Sequence, residues 1–123
     1  MTATDHALEL ITTAARAGGE KKGEQIVAFD VSEQLAITDA FLIISASNER
    51  QVGAIVDAVE DALREAGAKP IRREGQRDGR WVLLDYGDIV VHVQHEEERQ
   101  FYALERLWRD CPAIALPEDV TRS

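Results

Sequence analysis

Several side chains in this sequence could do chemistry if the fold brought them together. The stretch GRWVLLDYGDIVVHV, residues 79–93, carries Asp85 and Asp88 three positions apart, and His92 is followed by His95 at the same interval. A pair of carboxylates is a common way to hold magnesium for phosphoryl transfer, and two histidines could begin a zinc site. Ser45, Ser47 and Cys111 are the candidate nucleophiles. Spacing weakens each idea. Residues three apart on an extended strand point to opposite faces, and DYGD is an ordinary turn composition, so neither pair converges unless the turn re-aims it. No GxxxxGK[ST], no GxGxxG and no Gly-Ser pair ahead of the acids is present to cradle a nucleotide phosphate. No nucleophile elbow surrounds either serine, and the single cysteine has neither a CxxC partner nor a disulfide mate. No catalytic residue, metal or cofactor is expected. Asp88 is assigned to the turn and His92 to a structural hydrogen bond.

The elements that must position these residues follow from hydrophobic periodicity. Ala7, Leu8, Leu10, Ile11, Ala14 and Ala15 recur at helical spacing between Thr4 and about Ala17, with Gly18 and Gly19 as a stop. QIVAFDV suits a strand buried on at least one face, and AFLIISA, residues 40–46, is a continuous apolar run typical of a central strand. Two near-central strands in succession favour a mixed or parallel sheet. Asn48 is a plausible N-cap with Gln51 reaching back, and Val52, Ile55, Val56, Val59 and Leu63 make one helical stripe that ends at Gly67. PIRREG reads as an edge strand or strand start, and GQRDG as a turn. Glu96, Glu97 and Glu98 fall in the first turn of a last helix, whose apolar face is Phe101, Leu104, Leu107 and Trp108. Residues 1–111 make one domain, and residues 112–123 a loosely attached, flexible tail.

Composition sets outer bounds. At 123 residues with 45% hydrophobic content, the chain is long enough for a single domain with a real core. No run approaches the roughly 18 to 20 apolar residues of a membrane span, and the acids near the N-terminus do not suit a signal peptide, so a cytoplasmic protein is expected. Acids outnumber bases 23 to 14, a formal charge of −9, which opposes extensive binding to nucleic acid.

The hairpin itself can be read by register. With Gly87 and Asp88 as a two-residue turn, Gly87 takes the positive φ of a type II′ turn and Tyr86 pairs with Ile89, Leu84 with Val91 and Val82 with Val93. One face is then wholly apolar. The other collects Trp81, Leu83, Asp85, Val90, His92 and Gln94, a mixture that fits a surface partly open to water. Whether Trp81 is core or a docking anchor stays open on pattern alone, since sheets in α/β domains are often covered on both faces.

KKGEQIVAFDVSEQLAITDAFLIISASNERQV, then GRWVLLDYGDIVVHV, then EEERQFYALERLW, in that order and spacing, resemble the ribosomal silencing factor family, also called Iojap-like. The resemblance spans roughly Leu8 to Trp108 and implies a compact α/β domain. Its mixed sheet of about five strands is flanked by helices, distantly like nucleotidyltransferases but without their catalytic equipment. It further implies binding to the large ribosomal subunit through the ribosomal protein called L fourteen. Small-subunit joining is then blocked sterically and translation falls when nutrients are scarce. Carried onto this chain, the interaction surface falls on Trp81, Val82, Leu83, Leu84, Asp85 and Tyr86, with Trp81 as anchor. The acidic chain suits a basic partner, through contacts that salt should weaken. Two other readings stand beside it: a metal-dependent, nucleotidyltransferase-like enzyme using Asp85 and Asp88, and a scaffold that forms a homodimer through the mixed face of the hairpin.

Overall fold

The structure, a computed structural model, describes residues 3–121. Helix α1 (Asp5–Glu20) starts where the Thr4 hydroxyl accepts the amide of Ala7 at 3.1 Å, and it buries Ala7, Leu10, Ile11, Ala14 and Ala15. Gly18 and Gly19 do not stop it; they lie inside its last turns. Their use is close approach to the sheet: a Cβ on Gly18 would sit 2.7 Å from the Cδ1 of buried Ile44, which would have to shift to admit it.

Strands β1 (Glu24–Asp30) and β2 (Ala40–Ala46) follow, then α2 (Glu49–Glu65), β3 (Arg72–Glu74), β4 (Trp81–Asp85) and β5 (Ile89–His95). The five strands form one mixed sheet in the order β1-β2-β5-β4-β3, with β2 and β5 parallel and every other pair antiparallel. The expected α/β architecture is present, with β2 and β5 flanked on both sides. β1, expected near the centre, is an edge strand.

Helix α2 begins at Asn48, whose side chain accepts the Gln51 amide at 2.8 Å. The Gln51 side chain reaches one residue beyond the cap, to the amide and hydroxyl of Ser47, and donates to the carbonyls of Lys21 and Lys22. One glutamine thereby fastens the start of α2 to the end of α1. The predicted stripe Val52, Ile55, Val56, Val59 and Leu63 is buried against Leu42, Ile44, Val82, Leu84, Val91 and Val93 on one face of the sheet. Each such side chain contributes about 1.5–3 kcal/mol when fully buried.

Two expectations are corrected past β5. The last helix is not continuous: Ala103 adopts a left-handed conformation (φ 44°, ψ 53°) and divides it into α3 (Glu96–Tyr102) and α4 (Leu104–Leu107). The segment from 112 onward is docked along the β1 edge. Asp30 donates its amide to the Pro112 carbonyl at 2.8 Å and Ile114 donates to that of Ala28 at 2.9 Å, while Phe29 and Ala113 form a bridge. A short α5 (Glu118–Thr121) then puts Val120 into the main core. Of the expected tail, residues 122 and 123 lie outside the described residues.

Candidate functional site

The β4–β5 hairpin takes the register read from its sequence, with Val82 opposite Val93 and Leu84 opposite Val91, and with Tyr86 donating its amide to the Ile89 carbonyl at 2.9 Å. Gly87 has φ +85°, and the Asp85 carboxylate accepts its amide at 2.8 Å, locking the turn. Pleating divides the six residues expected to contact a partner. Val82, Leu84 and Tyr86 are buried on the apolar face beneath the helices, so they support the strand and are not available to a partner. Trp81, Leu83 and Asp85 are half-buried on the opposite face.

That opposite face is less open than expected. Val90, His92 and Gln94 are buried, because β5 is central and the chain after it folds back over them. Phe41 packs edge-on against both His92 and Trp108, at centroid distances of 5.2 and 5.0 Å. Openness begins at β4. The indole of Trp81 lies 4.8 Å from the ring of Tyr102, which lies 4.9 Å from Phe101. Phe101 is 81% exposed, Tyr102 48% and, on α4, Leu107 72%. The Ala103 break explains this: a helix interrupted after seven residues cannot turn all its apolar side chains toward the sheet. Phe101 and Leu107, read from the sequence as core-facing, face water instead.

Polar clamps hold this segment on the sheet. Arg99 is 4% exposed; its guanidinium donates to the Ser45 hydroxyl at 2.7 Å and to Glu105 at 3.1 Å. Desolvation lowers its pKa, and Glu105 opposes that shift. Arg80 donates to Glu97, Glu98 and Glu49, at 2.8, 3.0 and 3.2 Å, and these carboxylates raise its pKa. The His95 ring accepts the Glu97 amide at 3.1 Å and so caps α3, where the three glutamates also suit the helix dipole.

Residues 4–123 match the family model described as ribosomal silencing factor during starvation. The chain belongs to this family. Among curated relatives, it is similar to the ribosomal silencing factor RsfS of Halalkalibacterium halodurans, 44% identical over 108 residues and covering 88% of this chain and 92% of that one. It is likewise similar to RsfS of Bacillus subtilis, 41% identical over 107 residues, with 87% and 91% covered. Among solved structures, a crystal structure of a protein from Chromobacterium violaceum superposes with a TM-score of 0.78 at 35% identity, covering 81% of this chain and 83% of the other. The ribosomal silencing factor family is named for a regulatory role.

Within this silencing-factor domain Asp85, His92 and Ser45 each make a side-chain hydrogen bond inside the fold. The Asp85 carboxylate holds the turn and lies 3.6 Å from Arg72. The Asp88 main-chain oxygen accepts the amides of Asp39 and Ala40, joining the hairpin to the start of β2. No group of three or more His, Cys, Asp or Glu residues gathers to hold a metal among the described residues. His92 accepts the Trp81 indole N–H at 3.2 Å, as a structural hydrogen bond requires, and burial lowers its pKa to about 4. Ser45 is engaged by Arg99, and desolvation with nearby Asp110, Asp30 and Glu33 raises the pKa of Cys111. No described helix is long and apolar enough to cross a membrane.

Proposed function

We propose that the protein is a non-enzymatic translational repressor that docks on the large ribosomal subunit and sterically prevents the small subunit from joining. The family description and the names of the relatives support a ribosomal silencing role. The observation that supports the docking site is the row Trp81–Tyr102–Phe101, three ring systems in contact, with Trp81 half-buried and Tyr102 and Phe101 exposed. Aromatic anchors of this kind supply about 2 kcal/mol or more each in protein interfaces, and an exposed phenylalanine gains nothing until a partner covers it. Trp81 is the central anchor, Leu83 extends the apolar patch, and Asp85 supplies a rim charge.

The partner in this reading is the ribosomal protein called L fourteen, contacted at the face that the small subunit would otherwise occupy. The formal charge of −9 complements a basic partner and speeds encounter, with salt weakening the attraction. The setting is the cytoplasm under nutrient limitation. Co-sedimentation of the purified protein with isolated large subunits, with small subunits as the control, tests the target. Selective pelleting with large subunits at low salt is the expected result, and protein remaining in the supernatant would reject it.

A further inference from the structure

The charge of this chain is unevenly placed. Residues 69–80 hold Lys69, Arg72, Arg73, Arg77 and Arg80 against only Glu74 and Asp78, in a protein with 23 acids and 14 bases. These bases do not scatter. Between the end of α2 and strand β3 lies an open cleft of about 500 Å³ whose charged lining is Arg64, Lys69, Arg72 and Arg73, with Glu60 as its one acid. Four other clefts each carry more acids than bases in their walls.

Some of these cations have structural partners and some do not. Arg73 pairs with Glu60, and Arg64 with Asp61 at 2.8 Å. Arg72 has only loose ion pairs, at 3.8 Å to Glu74 and 3.6 Å to Asp85, and Lys69 has no ion pair among the described residues. Lys69 and the whole of β3 are exposed. A charged, three-residue edge strand does discourage unwanted strand addition, but that duty needs no concave basic site. A flexible ammonium beside a planar guanidinium in a cleft is a donor set for a phosphate oxyanion.

The position of the cleft decides which phosphate. β3 is hydrogen-bonded to β4, with Arg72 opposite Asp85 and Glu74 opposite Leu83, so Arg72 stands on the same face as the aromatic row and one strand away from it. Arg73, opposite Leu84, turns to the α2 side with Glu60 and Arg64, so the cleft opens across the β3 edge, and a surface that docks through β4 carries that edge, with Arg72 on it, beside the ribosome. We propose that Lys69 and Arg72 bind a backbone phosphate of ribosomal RNA when the protein is docked on the large subunit. This rests on the docking reading above. The net negative charge of the chain confines the RNA contact to this cleft, and the aromatic row supplies the remaining affinity.

The test uses the full chain and isolated large subunits over a potassium chloride series, comparing wild type, the Lys69→Gln/Arg72→Gln double variant and Trp81→Ala. The double variant should bind several-fold more weakly at low salt, with the slope of log affinity against log salt shallower by roughly 0.9, as the loss of one phosphate contact requires. Trp81→Ala should lose affinity with its slope unchanged. If the double variant matches wild type in both affinity and slope, the phosphate site is wrong while docking stands. If wild type does not bind at all, the docking reading itself fails. Crosslinking from Lys69 with a reagent that couples to its amine at one end and is photoreactive at the other, on subunits bound by wild type, then identifies the neighbour. Attachment to ribosomal RNA is the expected result, and attachment only to a ribosomal protein would overturn the assignment.

Discussion

The indole N–H of Trp81 donates to Nδ1 of His92 at 3.2 Å, across a diagonal of the β4–β5 ladder. This places the imidazole proton on Nε2 and gives the buried histidine a reason to stay neutral. It also joins Trp81, the proposed anchor, to the centre of the sheet, so that the proposed docking geometry and folding stability would share one hydrogen bond.

A pH dependence follows. Burial lowers the His92 pKa from 6.5 to about 4, so the unfolded chain takes up a proton before the folded one does. Stability from this group is complete above pH 6.5 and is lost as pH falls from there toward 4. The loss should reach about 2 kcal/mol by pH 5. Urea denaturation at pH 7.5 and pH 5 measures it, with His92→Gln as the reference. A variant that loses as much stability as wild type between the two would assign the effect to other groups.

Glycine substitutions should separate close approach from helix propensity. A Cβ on Gly23 would lie 2.6 Å from Ile44 Cγ2 and 2.9 Å from the Gly18 carbonyl oxygen, whereas one on Gly19 would meet nothing nearer than 3.9 Å. Gly23→Ala should destabilise by about 1–3 kcal/mol, and Gly19→Ala should stabilise by up to about 1 kcal/mol. Thermal melts of the two variants would contradict this if they shifted in the same direction.

The C-terminal segment should matter for stability. Val120 is 2% exposed and belongs to the main core. Val120→Ala should cost about 1.5 kcal/mol, since it removes two buried carbons. An unchanged denaturation midpoint would mean that the segment is as loosely attached as its two prolines suggest.

The hairpin was legible in the sequence because strict alternation, a Gly-Asp turn and opposite-face parity constrain one another, and together they located Trp81, Leu83 and Asp85. The chain after β5 was not legible. Its apolar residues have helical spacing, and nothing local announces that Ala103 will turn left-handed, between an Arg99 that bonds Ser45, 54 residues away, and the Glu105 it also bonds, 6 residues away. Adjacent Phe101 and Tyr102 were the available signal, because neighbouring positions on a helix cannot both face the sheet. The docked tail was missed for a related reason. Its pairing partner is the β1 edge, and a segment that borrows its hydrogen bonds from a distant strand needs no periodicity of its own.

Whether the exposed aromatic face keeps the ribosomal subunits apart, as proposed, is read by light scattering of purified large and small subunits mixed with wild-type protein, Trp81→Ala or Phe101→Ser, each variant first shown to be folded. Wild type should suppress the rise in scattering that marks joining. Phe101→Ser, at an 81% exposed position, should keep its stability to within about 0.5 kcal/mol and yet suppress joining much less, and Trp81→Ala should suppress it least. Folded variants that block joining as well as wild type would place the docking surface elsewhere on the molecule, and a wild-type protein without effect on joining would rule out steric repression by this protein.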